Sequence, residues 1–83
     1  MKFIRKDNTI VSLENVARVS IIEENYKRTR KGKQVWVRDY KIKIEYTDNN
    51  IYNQFLETEL EDDKALKVME YYLEKIEEIL NRG

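Results

Sequence analysis

The sequence predicts an α+β fold, in which an antiparallel, curled β-meander of about five strands is packed by one C-terminal amphipathic helix. From residue 2 to about 56, apolar and polar residues alternate, and the apolar ones are mostly types that favour strands. From about 59 to 82, apolar residues instead recur every three or four positions, as in a helix that buries one face. The chain has 83 residues, which is enough for a single domain over 1–83.

Two short strands are predicted to open the chain as a hairpin. Residues 2–5 and 10–13 lie on either side of Asp7–Asn8, a pair that favours a tight turn. A second turn is predicted at Leu13–Val16, and alternating apolar residues then indicate a third strand over about 17–24. The segment 26–34 is expected to separate this strand from the next. Short connections between successive strands predict antiparallel pairing.

The fourth strand, predicted at Val35–Tyr46, shows the clearest alternation. Its even positions are apolar except for Arg38, and its odd positions end in charged residues, which is typical of a strand with one face in water. We therefore expect Trp36 to face the core and a β-bulge to interrupt the strand at Arg38. The polar residues at 48–50 predict a turn, and Ile51–Leu56 is expected to return as the fifth strand.

The C-terminal helix is predicted to begin with a capping box. Thr58 and Glu61 have the spacing at which a hydroxyl and a carboxylate satisfy each other's free backbone N–H groups. Acidic residues from Glu59 to Asp63 crowd the predicted first turn, where the helix dipole favours negative charge. The face expected to pack on the sheet carries Ala65, Leu66, Met69, Tyr72, Leu73, Ile76, Ile79 and Leu80.

Composition argues against several classes of function. The chain has no cysteine, histidine or proline, so it lacks disulfides, zinc sites of the usual kind and any Cys or His nucleophile–base pair. The acidic run Glu57–Asp63 lacks the alternating ligands and central glycine of a calcium loop, and Asp48–Asn50 lacks the glycine as well. We therefore predict a protein that is not an enzyme and that uses neither a cofactor nor a metal.

Long apolar runs are absent from the sequence. A signal peptide needs an apolar run of about 7–15 residues, and a membrane span needs about 20. The sequence therefore predicts no membrane association and a cytoplasmic location.

Charge is distributed unevenly along a chain whose net charge is zero. Residues 1–43 contain twelve basic and five acidic side chains, a net charge of +7, and residues 44–83 contain four basic and eleven acidic ones, a net charge of −7. If the two halves project from opposite ends, the domain is an electrical dipole, and if they lie together, the acidic half neutralises the basic one. The sequence leaves both arrangements open.

The segment Lys27–Lys33 is the strongest candidate for a binding site. Five of its seven residues are cationic, Gly32 favours a hairpin tip, and Tyr26 and Trp36 flank it. Cations that contact phosphates and rings that stack on bases favour nucleic acid or another polyanion, whereas a solvated tip or a protein contact explains the same residues. The candidate contacts are Lys27, Arg28, Arg30, Lys31 and Lys33.

A second candidate surface lies on the helix. Val68 and Tyr71 fall outside the predicted core stripe, on a flank bounded by Lys64 and Lys75. Such a pair could form the contact of a homodimer or of another protein partner. A core that wraps further around the helix, or two scattered exposed apolar residues, would also account for it.

The order of the predicted elements resembles known layouts. A short opening hairpin, the Leu13–Val16 turn, a strand meander and a terminal helix are similar to the layout of small uncharacterised bacterial and phage-like proteins and of pleckstrin-homology-like domains. More distantly, the order resembles the four-strands-plus-helix single-stranded-DNA binders of the coactivator type. The pleckstrin-homology-like layout implies a binding scaffold and the second a dimeric nucleic-acid binder, and neither transfers a functional residue.

The sequence as a whole predicts a small non-enzymatic binding domain. We expect it to act through self-association as a homodimer or through another protein. The alternative is nucleic-acid binding through Lys27–Lys33.

Overall fold

A computed structural model describes residues 1–82 of the protein, which form five strands and one helix. In chain order these elements are β1 (Phe3–Lys6), β2 (Thr9–Ser12), β3 (Val16–Arg30), β4 (Lys33–Tyr46), β5 (Gln54–Leu56) and α1 (Asp62–Asn81). The predicted α+β class, the five strands and the C-terminal helix are confirmed. The strands form two sheets rather than one meander, because β1 pairs only with β2 while β3, β4 and β5 form a separate open antiparallel sheet in that order.

Local turn chemistry explains most of the connections. Asp7 and Asn15 adopt left-handed φ angles of 55° and 60°, which their residue types tolerate well, and the two predicted turns are confirmed. The Asp48 carboxylate accepts the N–H of Asn50 at 2.8 Å, and the Asp48 carbonyl accepts the N–H of Ile51 at 3.1 Å. Ile51 therefore belongs to the turn, and the fifth strand begins later than predicted.

The hydrophobic core lies between α1, one face of β4 and the β1–β2 hairpin. Ile42 and Ile44 of β4 are fully buried, as are Ala65 and Met69 of α1. All eight residues of the predicted helix stripe are buried or partly buried against this cluster, so the helical periodicity is confirmed. The core is completed by Ile4, Val11, Leu13, Tyr40, Leu56 and Ile76.

The predicted capping box is wrong. The helix begins at Asp62, and Glu61 occupies the N-cap position without a side-chain capping bond. The Thr58 hydroxyl instead accepts the N–H of Leu60 at 3.3 Å in a local turn. The Glu61 carboxylate binds Arg28 and Arg30 instead of accepting the backbone N–H of Thr58, as the predicted capping box requires.

A long hairpin extends from the body of the molecule. Strands β3 and β4 have 15 and 14 residues and are joined by a two-residue turn at Lys31–Gly32, whose φ angles of 51° and 77° are those of a type I′ turn. Much of the segment 26–34, which we expected to separate two strands, is therefore strand. The radius of gyration of 14.7 Å exceeds the roughly 12 Å of a compact domain of this length, and the long dimension is 50 Å. We call residues 25–38 the arm.

The arm corrects two further predictions. The β3–β4 register runs without interruption from Arg18 to Arg30, so the predicted bulge at Arg38 is wrong, and the irregularity lies between Val16 and Arg18. Trp36 shares the sheet face of Tyr40, as predicted, but 70% of its surface is exposed. The reason is that α1 begins beside Arg38, whose N–H bonds to Asp62, and leaves the sheet beyond that point uncovered.

Candidate interaction site on the hairpin arm

The two faces of the arm carry different chemistry. Directly paired residues of an antiparallel ladder project to the same face. Lys27 and Trp36 are paired and lie on the face that α1 covers further along the sheet, which we call the helix-side face. Arg28 and Arg30 lie on the opposite face, which we call the outer face, because they alternate with Lys27 along β3.

The helix-side face presents an exposed aromatic ring beside a cation. Lys27 Nζ lies 5.2 Å from the centroid of the Trp36 ring, within the range of a cation–π contact. Trp36 is the only tryptophan in the chain, and most of its surface is exposed. This face therefore combines an apolar ring with a positive charge that is accessible to a partner.

The outer face is neutralised by the segment before α1. Arg28 and Arg30 both form ion pairs with the Glu61 carboxylate, and only 15% of the Glu61 side chain is exposed. At the edge of β4, the Arg38 N–H donates to Asp62 Oδ1 at 3.1 Å. Asp62 adopts a left-handed φ of 54° at this sharp turn into the helix. The basic arm and the acidic start of the helix are thus in contact.

The tip of the arm keeps its positive charge. Neither Lys31 nor Lys33 pairs with a carboxylate anywhere in residues 1–82, and both are exposed. Of the five predicted contact cations, Arg28 and Arg30 are therefore engaged by Glu61, Lys27 lies over Trp36, and the two tip lysines face solvent.

The second predicted surface is divided by the fold. Val68 is partly buried against the core, whereas 55% of Tyr71 is exposed. The Tyr71 ring packs edge-on against Tyr72 with a centroid separation of 5.4 Å, and Lys75 Nζ lies 5.4 Å from the same Tyr71 centroid. Tyr71 is thus the only member of the pair that offers a large exposed surface.

Three charged groups on the long hairpin have pKa values that are shifted away from neutral pH. A hydrogen bond from Arg18 lowers the pKa of Glu45, and a hydrogen bond to Glu24 raises that of Lys41. Interaction with Tyr40, more than with Glu23, raises the pKa of Arg38. Each shift stabilises the charged form that the side chain already has at neutral pH. Such groups are suited to structural ion pairs rather than to proton transfer.

Other chemistry is sparse in the part of the chain that the structure describes. Residues 1–82 contain no group of three or more acidic side chains placed to hold a metal ion. The single helix in this range is too polar to cross a membrane.

Comparison with protein-family models, with curated proteins and with solved structures returns no match for this chain. The case for function therefore depends on the arm itself.

Sequence reasoning missed the residues that hold the arm in place. The sequence predicts only that Glu61 and Asp62 stabilise the start of the helix. In the structure both residues bind the arm. One signal was present in the sequence: the apolar residues Val35 and Val37 occupy odd positions, opposite in phase to Trp36. Val37 is buried on the outer face, with 1% of its surface exposed. The interruption of the apolar alternation at Arg38 is therefore not a bulge. It marks the point along β4 where the buried residues change from the helix-side face to the outer face.

Proposed function

We propose that this protein is a non-enzymatic interaction module, that the arm is its contact element, and that the arm engages a protein. The observation that carries the proposal is the exposure of Trp36 on a ribbon that projects beyond the core. A tryptophan buries roughly 150–250 Å² when it is packed. At about 25 cal/mol per Å², covering the exposed part of this ring would contribute about 3 kcal/mol.

The neighbours of Trp36 support a role in binding. Tryptophan, tyrosine and arginine dominate the binding energy of protein interfaces when they are surrounded by residues that exclude water. Lys27 holds its ammonium over the Trp36 ring, and this contact strengthens when a partner displaces water. The two arginines of the outer face are less available to a partner, because both already form ion pairs with Glu61.

The test compares Trp36→Ala with Tyr52→Ala in affinity capture from the source cell extract, followed by titration of each purified partner. Tyr52 is the matched control because it is 88% exposed in the loop before β5, away from the arm. We expect Trp36→Ala to lower the affinity for a specific partner at least about 30-fold, as for a typical hot-spot residue. We expect Tyr52→Ala to bind as the wild type does.

Two further observations decide the interpretation. Because Trp36 is the only tryptophan, its fluorescence should shift to the blue when the wild-type protein binds a purified partner. Circular dichroism and thermal melts of Trp36→Ala should match the wild type, since the ring contributes little to the core. Partners that bind Trp36→Ala and wild type equally would contradict the proposal.

A polyanion is the second candidate partner, favoured by the unpaired lysines at the tip. Lys27, Lys31 and Lys33 are the three cations of the arm that form no ion pair with a carboxylate of residues 1–82. Three phosphate contacts on duplex DNA predict a salt slope of about −2.7 and a loss of about 40-fold between 50 and 200 mM salt. Five contacts would require release of Glu61 and predict a slope of about −4.5.

Anisotropy titration of labelled oligonucleotides tests this candidate. The double variant Lys31→Gln/Lys33→Gln should abolish binding, whereas Lys64→Gln/Lys67→Gln, which removes two exposed lysines from the helix, should leave it intact. Equal effects of the two double variants, or no binding at 50 mM salt, would exclude the arm tip as a nucleic-acid site.

A further inference from the structure

We infer that a second copy of this chain pairs with the free edge of β3 within the arm, antiparallel to it, and forms a two-fold dimer with one continuous sheet. The inference rests on the proposed function in one respect, that the arm is a contact element. It uses a different part of the arm, the backbone edge of β3 rather than the Trp36 ring.

The turn determines which backbone groups of β3 are free. In the two-residue turn, Arg30 and Lys33 form the closing hydrogen-bonded pair. Since bonded and non-bonded pairs alternate along an antiparallel ladder, even-numbered residues of this part of β3 bond to β4 and odd-numbered ones point away. The Arg38 N–H agrees with this alternation. Arg38 pairs with the odd-numbered Asn25, and its N–H points away from β3 toward Asp62.

The free groups form a continuous row. Strand β3 is the edge strand of its sheet, and the residues with outward N–H and C=O groups between 22 and 30 are Glu23, Asn25, Lys27 and Thr29. Every residue from 23 to 30 is exposed. The β3–β4 register shows no bulge in this stretch, and the chain contains no proline, so two common protections of an edge strand are missing.

The order of charges along β3 suits antiparallel self-pairing. Glu23 and Glu24 precede the cations Lys27, Arg28 and Arg30. Two copies that run in opposite directions bring the acidic part of one strand beside the basic part of the other, whereas parallel copies would align like charges. Opposite charges on paired strands are favourable and like charges are not.

A register centred on Tyr26 satisfies these conditions. It places Tyr26 opposite Tyr26 of the second copy, in a non-hydrogen-bonded pair where side chains approach most closely. Arg28 then faces the second copy's Glu24, and Lys27 faces its Asn25. Within each copy Arg28 also pairs with Glu61 and Glu24 with Lys41, so the contact between copies extends these ion pairs. The overlap covers residues 22–30, so the two bodies lie at opposite ends of the joined arms and do not collide. Moving the register by two residues toward the tip would place Lys27 opposite Lys27.

A pair of proline variants tests the edge. Thr29 and Gln34 are direct cross-strand partners, and both have N–H groups that point out of the hairpin, Thr29 at the β3 edge and Gln34 at the β4 edge. Proline is tolerated at such positions but cannot donate to an added strand. We expect the wild type to approach twice 10.1 kDa at high concentration in sedimentation velocity. Gln34→Pro should dimerise similarly, and Thr29→Pro should stay monomeric.

A cysteine variant tests the register. The chain has no cysteine of its own, so Tyr26→Cys introduces a single thiol at the expected two-fold axis. Its Cβ atoms would lie about 4.5–5.5 Å apart in the dimer, close enough for a disulfide after small adjustment. We expect Tyr26→Cys to form a covalent dimer rapidly under mild oxidation and Gln34→Cys to remain largely monomeric.

The outcomes are unambiguous for this inference. A wild type that is monomeric at all concentrations, or equal dimerisation of Thr29→Pro and wild type, would overturn it. Equal loss of dimer in both proline variants would overturn its assignment to the β3 edge. Trp36→Ala separates the two proposals: a dimer that survives this substitution while partner capture is unaffected would reject the role of Trp36 and retain the edge contact.

Discussion

At the level of single residues, Tyr46 joins the two sheets. It ends β4, and its hydroxyl donates to the carbonyl oxygen of Ser12 in β2 at 2.6 Å. Partial burial raises the pKa of the Tyr46 phenol above its ordinary value of 10.0. The sequence predicted that Tyr46 points inward, since it follows Ile42 and Ile44 with a period of two. It carried no sign of the Ser12 contact, because the relative placement of the two hairpins depends on the whole core.

We predict that Tyr46→Phe lowers the free energy of unfolding by about 1 kcal/mol at neutral pH, since a hydrogen bond between the sheets is lost. A raised pKa in the folded state means that Tyr46 contributes stability below pH 10.0 and loses that contribution as the pH rises through its ordinary and folded pKa values. Urea unfolding across this pH range should therefore show a smaller alkaline loss for Tyr46→Phe than for wild type.

Tyr52→Phe is the control for this pH dependence, because Tyr52 is almost fully exposed. Its alkaline loss of stability should equal that of the wild type. Identical pH profiles for Tyr46→Phe and wild type would show that the Tyr46 phenol is not linked to folding.

At the level of elements, the sequence was informative wherever burial imposes a period. It correctly predicted the buried face of the helix from Ala65 to Leu80 and the inward positions Tyr40, Ile42 and Ile44 of β4. The arm was not, because a ribbon with little core beneath it has no apolar period to detect, and its cations suggested a loop. The location of the basic candidates was predictable, but their neutralisation by Glu61 was not, since an ion pair between residues 28 and 61 depends on tertiary packing.

We predict that Gly32→Ala loosens the arm without unfolding the body. A Cβ at Gly32 would meet nothing within 4 Å, so the cost comes from its φ of 77°, about 1 kcal/mol for a residue other than glycine. Amide exchange at Arg30 and Lys33, the hydrogen-bonded pair that closes the turn, should then accelerate by about 5-fold, the factor that corresponds to this free energy. Exchange at Ile42 and Ile44 should change much less.

Lys31→Asn is the opposite test at the same turn. Lys31 adopts a φ of 51°, which asparagine accommodates better than lysine does. The substitution should slow exchange of the arm amides. Equal exchange rates in the arm for Gly32→Ala, Lys31→Asn and wild type would contradict the turn geometry.

At the level of the whole molecule, the fold joins the two oppositely charged halves of the chain at one place. Glu61 and Asp62, from the acidic half, contact the arm of the basic half. The sequence left open whether the halves lie together or apart, and the structure combines the two. The start of the helix neutralises the arm, while the tip lysines project beyond it. The charge asymmetry therefore holds the arm in position and leaves its tip available.

The body of the molecule should fold without the arm. Replacing residues 27–36 by an Asn-Gly turn removes Trp36 and all five candidate cations but leaves the core cluster intact. We expect the shortened protein to unfold cooperatively, with a melting temperature within a few degrees of wild type. Its radius of gyration in small-angle scattering should fall from 14.7 Å to about 11 Å, the value for a compact domain of its length.

The same variant links stability to function. Removing the arm also exposes Glu61 to water, where an ion pair contributes only about 0–1 kcal/mol, so losing Arg28 and Arg30 should cost little. A shortened protein that folds but neither dimerises nor binds a partner would show that the arm is maintained for contact. A shortened protein that does not fold would instead show that folding requires the arm, because the body would then depend on the hairpin that Glu61 and Asp62 contact.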